Sequence, residues 1–109
     1  LTRRSHGQGI MDLARTRFGP DSLILLDEPE DGLSTFSQLE LLGLLTVLAR
    51  RGAQVVVATH SPVLLAIPDA RILHVPDLEP MLYDDCEPVT ATREFINDPT
   101  GTARYLVGP

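Results

Sequence analysis

Two adjacent carboxylates, Asp27 and Glu28, follow the apolar run Leu23-Ile24-Leu25-Leu26, and a second apolar run over 54–59 closes on Thr59-His60-Ser61. If both runs are parallel strands side by side, these three chemical groups converge beyond their carboxyl ends, where α/β sheets bind ligands. One carboxylate can hold Mg²⁺, usually through water. The other can orient or deprotonate an attacking water. The imidazole can stabilise a phosphate oxygen. Successive strand residues point to opposite faces, so the two acids need not share a job. Each residue also has a plainer account. The acids can be solvated at a strand end, and His60 can belong to the cap of the next helix. A third element is Ser5-His6-Gly7-Gln8-Gly9, placed just before a helical pattern. A hydroxyl and two glycines at a helix N-terminus gather N–H groups into an anion-binding arrangement; the plainer account is a flexible cap.

These groups need elements to hold them. Residues 9–18 carry Ile10, Leu13, Ala14 and Phe18 at helical spacing, and Gly19-Pro20-Asp21 ends the run. Residues 23–26 are too short for a helix and predict a buried strand. Asp31-Gly32 makes a turn. Ser34 can cap the next helix, and Ser37 with Glu40 offers a second start as a capping box. Leu41, Leu44, Leu45 and Leu48 then follow one helical face. Arg50 and Arg51 suit its last turn, and Gly52 its end. With a buried strand at 54–59, the pattern is strand, helix, strand: a βαβ unit with parallel strands. Ser61-Pro62 opens a short helix to about Ala66. Strands at 71–75 and 80–83 can pair as a hairpin across Pro76-Asp77-Leu78-Glu79. Residues 89–96 predict a helix and 102–107 one or two further turns. His74, inside an apolar strand pattern, reads as structural.

Composition narrows the classes. The 109 residues suit one small domain, with 15 acids against 9 bases and a formal net charge of -6. That balance argues against bulk binding to nucleic acid or an anionic membrane. Arg3, Arg4, Arg15 and Arg17 could still form a local basic patch, although solvated helix ends account for them equally simply. Every base is arginine and lysine is absent. The single cysteine, Cys86, leaves no internal disulfide and fits a reducing cytoplasm. No apolar run approaches the length of a membrane span. A first residue of leucine suits a processed chain or a piece of a longer one.

Taken in order, the motifs resemble the C-terminal half of an ABC-type ATPase nucleotide-binding domain. Ser5-His6-Gly7-Gln8 looks like the signature motif, commonly S-G-G-Q. Residues 23–28 look like Walker B with the catalytic glutamate, 30–34 lie where the D-loop falls, and His60 stands where the switch histidine belongs. Asp27 follows Ser5 by 22 positions, and His60 follows Asp27 by 33, which agrees. The D-E-P-E and A-T-H-S-P stretches are similar to those of the soluble bacterial AAA/ABC-type ATPases, as are Thr92-Arg93-Glu94-Phe95 and Arg104-Tyr105-Leu106. The resemblance covers nearly the whole chain, and its motifs are specific jointly. It implies an α/β fold class: a partial P-loop NTPase fold of ABC type, mainly parallel strands with flanking helices, with residues 1–109 forming the C-terminal portion of one ATPase domain.

The roles implied by the resemblance are specific. Asp27 would hold Mg²⁺ through water, Glu28 would be the general base or would polarise the water, and His60 would contact the γ-phosphate. Ser5, Gly7 and Gln8 would face ATP bound by a second ATPase domain, so that ATP is sandwiched between partners. The partner would be a second copy or a missing P-loop half, with nucleic acid involved only indirectly and no membrane insertion. Two departures matter. Ser34 stands where the D-loop aspartate is usual. The P-loop pattern G-x-x-x-x-G-K-S/T needs lysine, and this chain has none. Alone it should bind ATP poorly and hydrolyse it negligibly. Without the P-loop strand and helix, its own strands should expose apolar edges or faces. A truncated, non-catalytic interaction module is the alternative. A metal-dependent hydrolase using Asp27, Glu28 and His60 without ATP is a third class, short of ligands.

Overall fold

The computed structural model describes residues 21–109. The helix expected over 9–18 and the signature residues Ser5, Gly7 and Gln8 lie outside the described residues. Contacts divide the chain into two compact units, one ending at Ala70 and one spanning Arg71–Pro109.

In the first unit, β1 (Leu23–Asp27) pairs in parallel with β2 (Gln54–Ala58), Leu23 opposite Gln54 and Asp27 opposite Ala58. Helix α1 (Thr35–Arg50) makes the crossover, so the expected βαβ unit is present. The helix starts where the Ser34 hydroxyl accepts the Ser37 N–H at 3.1 Å. Ser34 is therefore the cap, and the second start at Ser37 is not used. At the other end the Gly52 N–H donates to the Ala49 carbonyl and the Ala53 N–H to the Leu48 carbonyl. This is the Schellman arrangement, and it places Gly52 at φ +108°, which a side chain would resist.

The leucine stripe of α1 does the packing. Leu41 and Leu45 are buried with Leu64, flanked by Leu26, Leu33, Val55 and Val57. Leu48 is buried with Ile24 and Ala53, closing the Schellman turn onto the sheet. Leu44, expected on the same face, is only half-buried. Strand alternation decides the rest. Ile24, Leu26, Val55 and Val57 face this core, while Leu23, Leu25 and Val56 are exposed. The strands were expected to be buried, as their apolar composition suggests for a parallel sheet. They are instead covered on one face, and the other is the apolar face anticipated for strands without a P-loop neighbour.

That face should make the chain self-associate. Sedimentation velocity should show concentration-dependent species, reduced by Leu25→Thr, which keeps a strand-favouring residue while removing apolar area. A strictly monomeric chain with a concentration-independent unfolding transition would refute this.

After β2, the expected short helix is a 3-10 turn at Leu64–Ala66. In the second unit, β3 (Ile72–Leu73) and β4 (Pro80–Met81) form the antiparallel hairpin, with Ile72 opposite Met81. Both strands are shorter than expected. Pro76 and Pro80 cannot donate to a ladder, which limits its growth. His74 is exposed beyond β3, not inside a strand, and its Nδ1 lies 2.9 Å from the Asp77 carboxylate. That contact, then the Glu79 N–H, holds the Asp77 carboxyl below its ordinary range. Helix α2 (Glu87–Asn97) starts two residues before the expected 89, because Pro88 suits a first helical turn. Helix α3 (Pro99–Val107) is longer than the expected one or two turns; Asp98 caps it by accepting the Gly101 N–H at 3.0 Å. Cys86 and Val89 are buried here. Burial, then the Asp85 charge, pushes the Cys86 thiol up, so it is an inert packing group.

Candidate active site

The site lies at the carboxyl ends of β1 and β2, which the parallel register brings side by side. The Glu28 N–H donates to the Ala58 carbonyl at 2.7 Å, extending the ladder by one bond. Glu28 itself then takes φ +47°, left-handed backbone that a non-glycine residue adopts at a cost on the order of 1 kcal/mol. The chain turns there: the Asp31 N–H donates to the Glu28 carbonyl at 3.1 Å, and the Leu33 N–H to the Glu30 carbonyl at 2.9 Å. Pro29 is buried beneath the turn. Glu28 has thus left the simple up-and-down alternation of the strand.

The result is a carboxylate–imidazole pair. Glu28 Oε1 lies 3.6 Å from His60 Nε2, with side chains 47% and 81% exposed. The distance is longer than a hydrogen bond. The exposure means solvent screens the pair heavily. Asp27 occupies the last rung of the ladder, opposite Ala58, and is exposed. The structure therefore brings Glu28 and His60 together and sets Asp27 at the same sheet end.

A polar network that sequence reasoning did not identify lies beside this pair. Glu30 Oε1 accepts the Thr59 hydroxyl at 2.6 Å, and Glu30 Oε2 accepts the His60 N–H at 2.9 Å. Thr59 Oγ1 in turn accepts the Ser61 N–H at 3.0 Å. The buried Ser61 hydroxyl donates to Gln38 Oε1 at 2.6 Å and accepts the Val63 and Leu64 N–H groups, each at 3.1 Å. Gln38 reaches back to the Leu33 carbonyl at 3.4 Å. The cap at Ser61 was expected; its bond to Gln38 and the Glu30 contacts had no local signal, because they join residues far apart in sequence.

Burial pushes the Glu30 carboxyl up, but the Thr59 hydroxyl and the His60 N–H outweigh it and leave it below the ordinary value of 4.5. A carboxyl held low when folded adds stability that is complete above its unfolded value and lost as pH falls through the folded one. Acid titration should therefore weaken the fold below about pH 4.5, and Glu30→Gln should flatten that part of the dependence. Urea unfolding midpoints measured across this range check it; identical pH slopes for the two proteins would refute it.

The chain matches the family model described as "AAA domain, putative AbiEii toxin, Type IV TA system" over residues 10–66, just over half its length. The chain belongs to this AAA-domain family. Strands β1 and β2, α1 and the Glu28–His60 pair lie within the matched AAA-domain region. Among curated proteins it is similar to the macrolide export ATP-binding/permease proteins MacB 1 and MacB 2 of Yersinia pestis bv. Antiqua (strains Antiqua and Nepal516) and MacB 1 of Yersinia pseudotuberculosis serotype I. Each is 29% identical over 89 residues, 80% of this chain. The chain spans only 14% of the length of these relatives. No solved structure matches it. The AAA-domain match and the parallel β1–α1–β2 unit together identify part of an α/β P-loop NTPase fold, carrying part of an ATPase nucleotide-binding domain. Among the described residues, no helix is long and apolar enough to cross a membrane.

Proposed function

We propose that residues 1–109 are the C-terminal portion of one ABC-type ATP-hydrolysing domain, acting in the cytoplasm and sandwiching ATP against a second ATPase domain. The observation that carries this reading is the Glu28–His60 pair at 3.6 Å, at the carboxyl ends of neighbouring parallel strands in an ATPase family. Glu28 is the general base or polarises the attacking water. His60 contacts the γ-phosphate. Phosphoryl transfer of this kind rests on positioning and electrostatics. Ser5, Gly7 and Gln8 supply the signature surface toward the partner's ATP.

Mg²⁺ suits Asp27. Among the described residues no group of three or more His, Cys, Asp and Glu side chains could cage a metal. A lone exposed carboxylate is what Mg²⁺ takes when water and substrate phosphates complete its shell. When bound, the ion would neutralise charge on the phosphate oxygens.

The openness of the site supports a composite arrangement. A pair so exposed cannot exclude water by itself, and electrostatic catalysis is strongest where water is excluded. The missing wall is assigned to a partner domain, either a second copy or a P-loop half. The exposed face of Leu23, Leu25 and Val56 also suits the alternative, a non-catalytic interaction module. In that case Glu28 and His60 are dispensable.

The purified 109-residue chain should show no ATP turnover above buffer. Turnover abolished by Glu28→Gln in this chain alone would refute the need for an external phosphate cradle. The coding sequence upstream of Leu1, read in the same frame, supplies the next test. A protein expressed with an in-frame P-loop should bind and hydrolyse ATP; binding without any hydrolysis would favour the interaction module.

A further inference from the structure

The Glu28–His60 contact cannot hold its own geometry. It is longer than a hydrogen bond, and the His60 side chain is largely, the Glu28 side chain about half, in solvent. The imidazole's position must therefore come from the backbone that carries it. That backbone is beyond the ladder, since β2 ends at Ala58. What holds it is the half-buried carboxylate of Glu30, which takes one donor from each of two successive residues: the Thr59 hydroxyl at 2.6 Å and the His60 N–H at 2.9 Å. Bonds to an ionised acceptor are roughly twice as strong as neutral ones. Thr59 then passes the constraint on by accepting the Ser61 N–H. Glu30 also sits two residues after Glu28, across buried Pro29, so one short segment fixes both members of the pair.

We infer that Glu30 is a positioning residue for the proposed ATPase site: its carboxylate clamps the Thr59–His60 turn to the end of β1 and so holds the His60 imidazole beside Glu28. This inference rests on the reading of Glu28 and His60 as the water and phosphate groups. Four substitutions follow from the chemistry of the clamp. Glu30→Ala removes both acceptors. Glu30→Gln replaces one acceptor oxygen by an NH₂ group and removes the charge, so any bonds that remain to Thr59 and His60 are the weaker neutral kind. Thr59→Val deletes the hydroxyl at nearly constant shape, whereas Thr59→Ser keeps it.

The test is nuclear magnetic resonance on the intact isotope-labelled chain without nucleotide. Two quantities are read: hydrogen exchange at the His60 amide, and the Overhauser contact between His60 ring protons and Glu28 side-chain protons. Glu30→Ala should speed His60 amide exchange by about tenfold or more, as expected for loss of a charge-assisted bond, and should abolish the contact. Exchange at Leu41 and Leu45 should not change. Thr59→Val should weaken the contact and Thr59→Ser should restore it.

If Glu30→Ala also loses protection at Leu41 and Leu45, Glu30→Gln and the two Thr59 variants decide. The inference is overturned if the contact is absent from the wild-type chain. It is also overturned if the contact survives both Glu30→Gln and Thr59→Val with His60 exchange unchanged. Failure of the functional reading looks different. A P-loop-completed protein whose turnover ignores Glu28→Gln would end that reading and leave the resonance result intact. A lost clamp would leave Glu28 and His60 as the proposed pair.

Discussion

Glu28→Gln should reduce ATP turnover by roughly 10²- to 10⁴-fold in a protein that joins this chain to a P-loop, while ATP binding persists. The amide keeps the size of the carboxylate and removes its basicity. A general base that acts only on the attacking water contributes to the chemical step and little to binding, so kcat should fall and KM should change little. The left-handed backbone at Glu28 should accept glutamine as it accepts glutamate, because both have the same Cβ. The fold is therefore expected to survive. Steady-state hydrolysis together with equilibrium binding of ATP checks this. Turnover equal to wild type would remove Glu28 from the reaction and favour the interaction module.

The second large effect is on stability. Leu45→Ala should destabilise the first unit by about 2–5 kcal/mol, the range for truncating a fully buried leucine. Leu45 is 1% exposed and packs with Leu41 and Leu64. Small domains have only about 5–15 kcal/mol in total, and one covered sheet face places this chain toward the low end. Leu45→Ala should therefore leave a substantial unfolded fraction without denaturant. Leu25→Ala is the matched control: Leu25 is 68% exposed, so at concentrations too low for self-association the same chemical change should cost well under 1 kcal/mol. Urea titration followed by circular dichroism separates the two. Similar losses for both would mean that the exposed face is packed in solution, for instance against a second copy.

These predictions draw on different levels of the molecule. The β1–α1–β2 unit was legible in the linear pattern. A four-residue apolar run, leucines at helical spacing, a serine before them and a glycine after them are local signals, and each element obeyed them. The order of Asp27, Glu28 and His60 at strand ends was equally legible, because a parallel βαβ unit sends both strand ends to the same edge. The absence of a P-loop in this chain needed no structure, since no lysine exists to build one. The last third was less legible. Short apolar stretches between prolines suggested strands of five and four residues where only two-residue bridges form, because proline lacks the ladder donor. His74, assigned to a strand, lies beyond it on Asp77.

Sequence by itself determined the parallel unit, the types of the chemical groups at its edge and the lack of a phosphate cradle in this chain. These follow from periodicity, capping and composition, which act over a few residues. Tertiary structure alone decided that Glu28 leaves the strand in a left-handed turn, and that Glu30 rather than Glu28 grips the His60 backbone. The reason is physical: Glu30 meets Thr59 and His60, and Gln38 meets Ser61, only after α1 has folded β2 back alongside β1. Hydrogen bonds between residues so distant in the chain have no period and no motif, and come into being with the packing that brings them within reach.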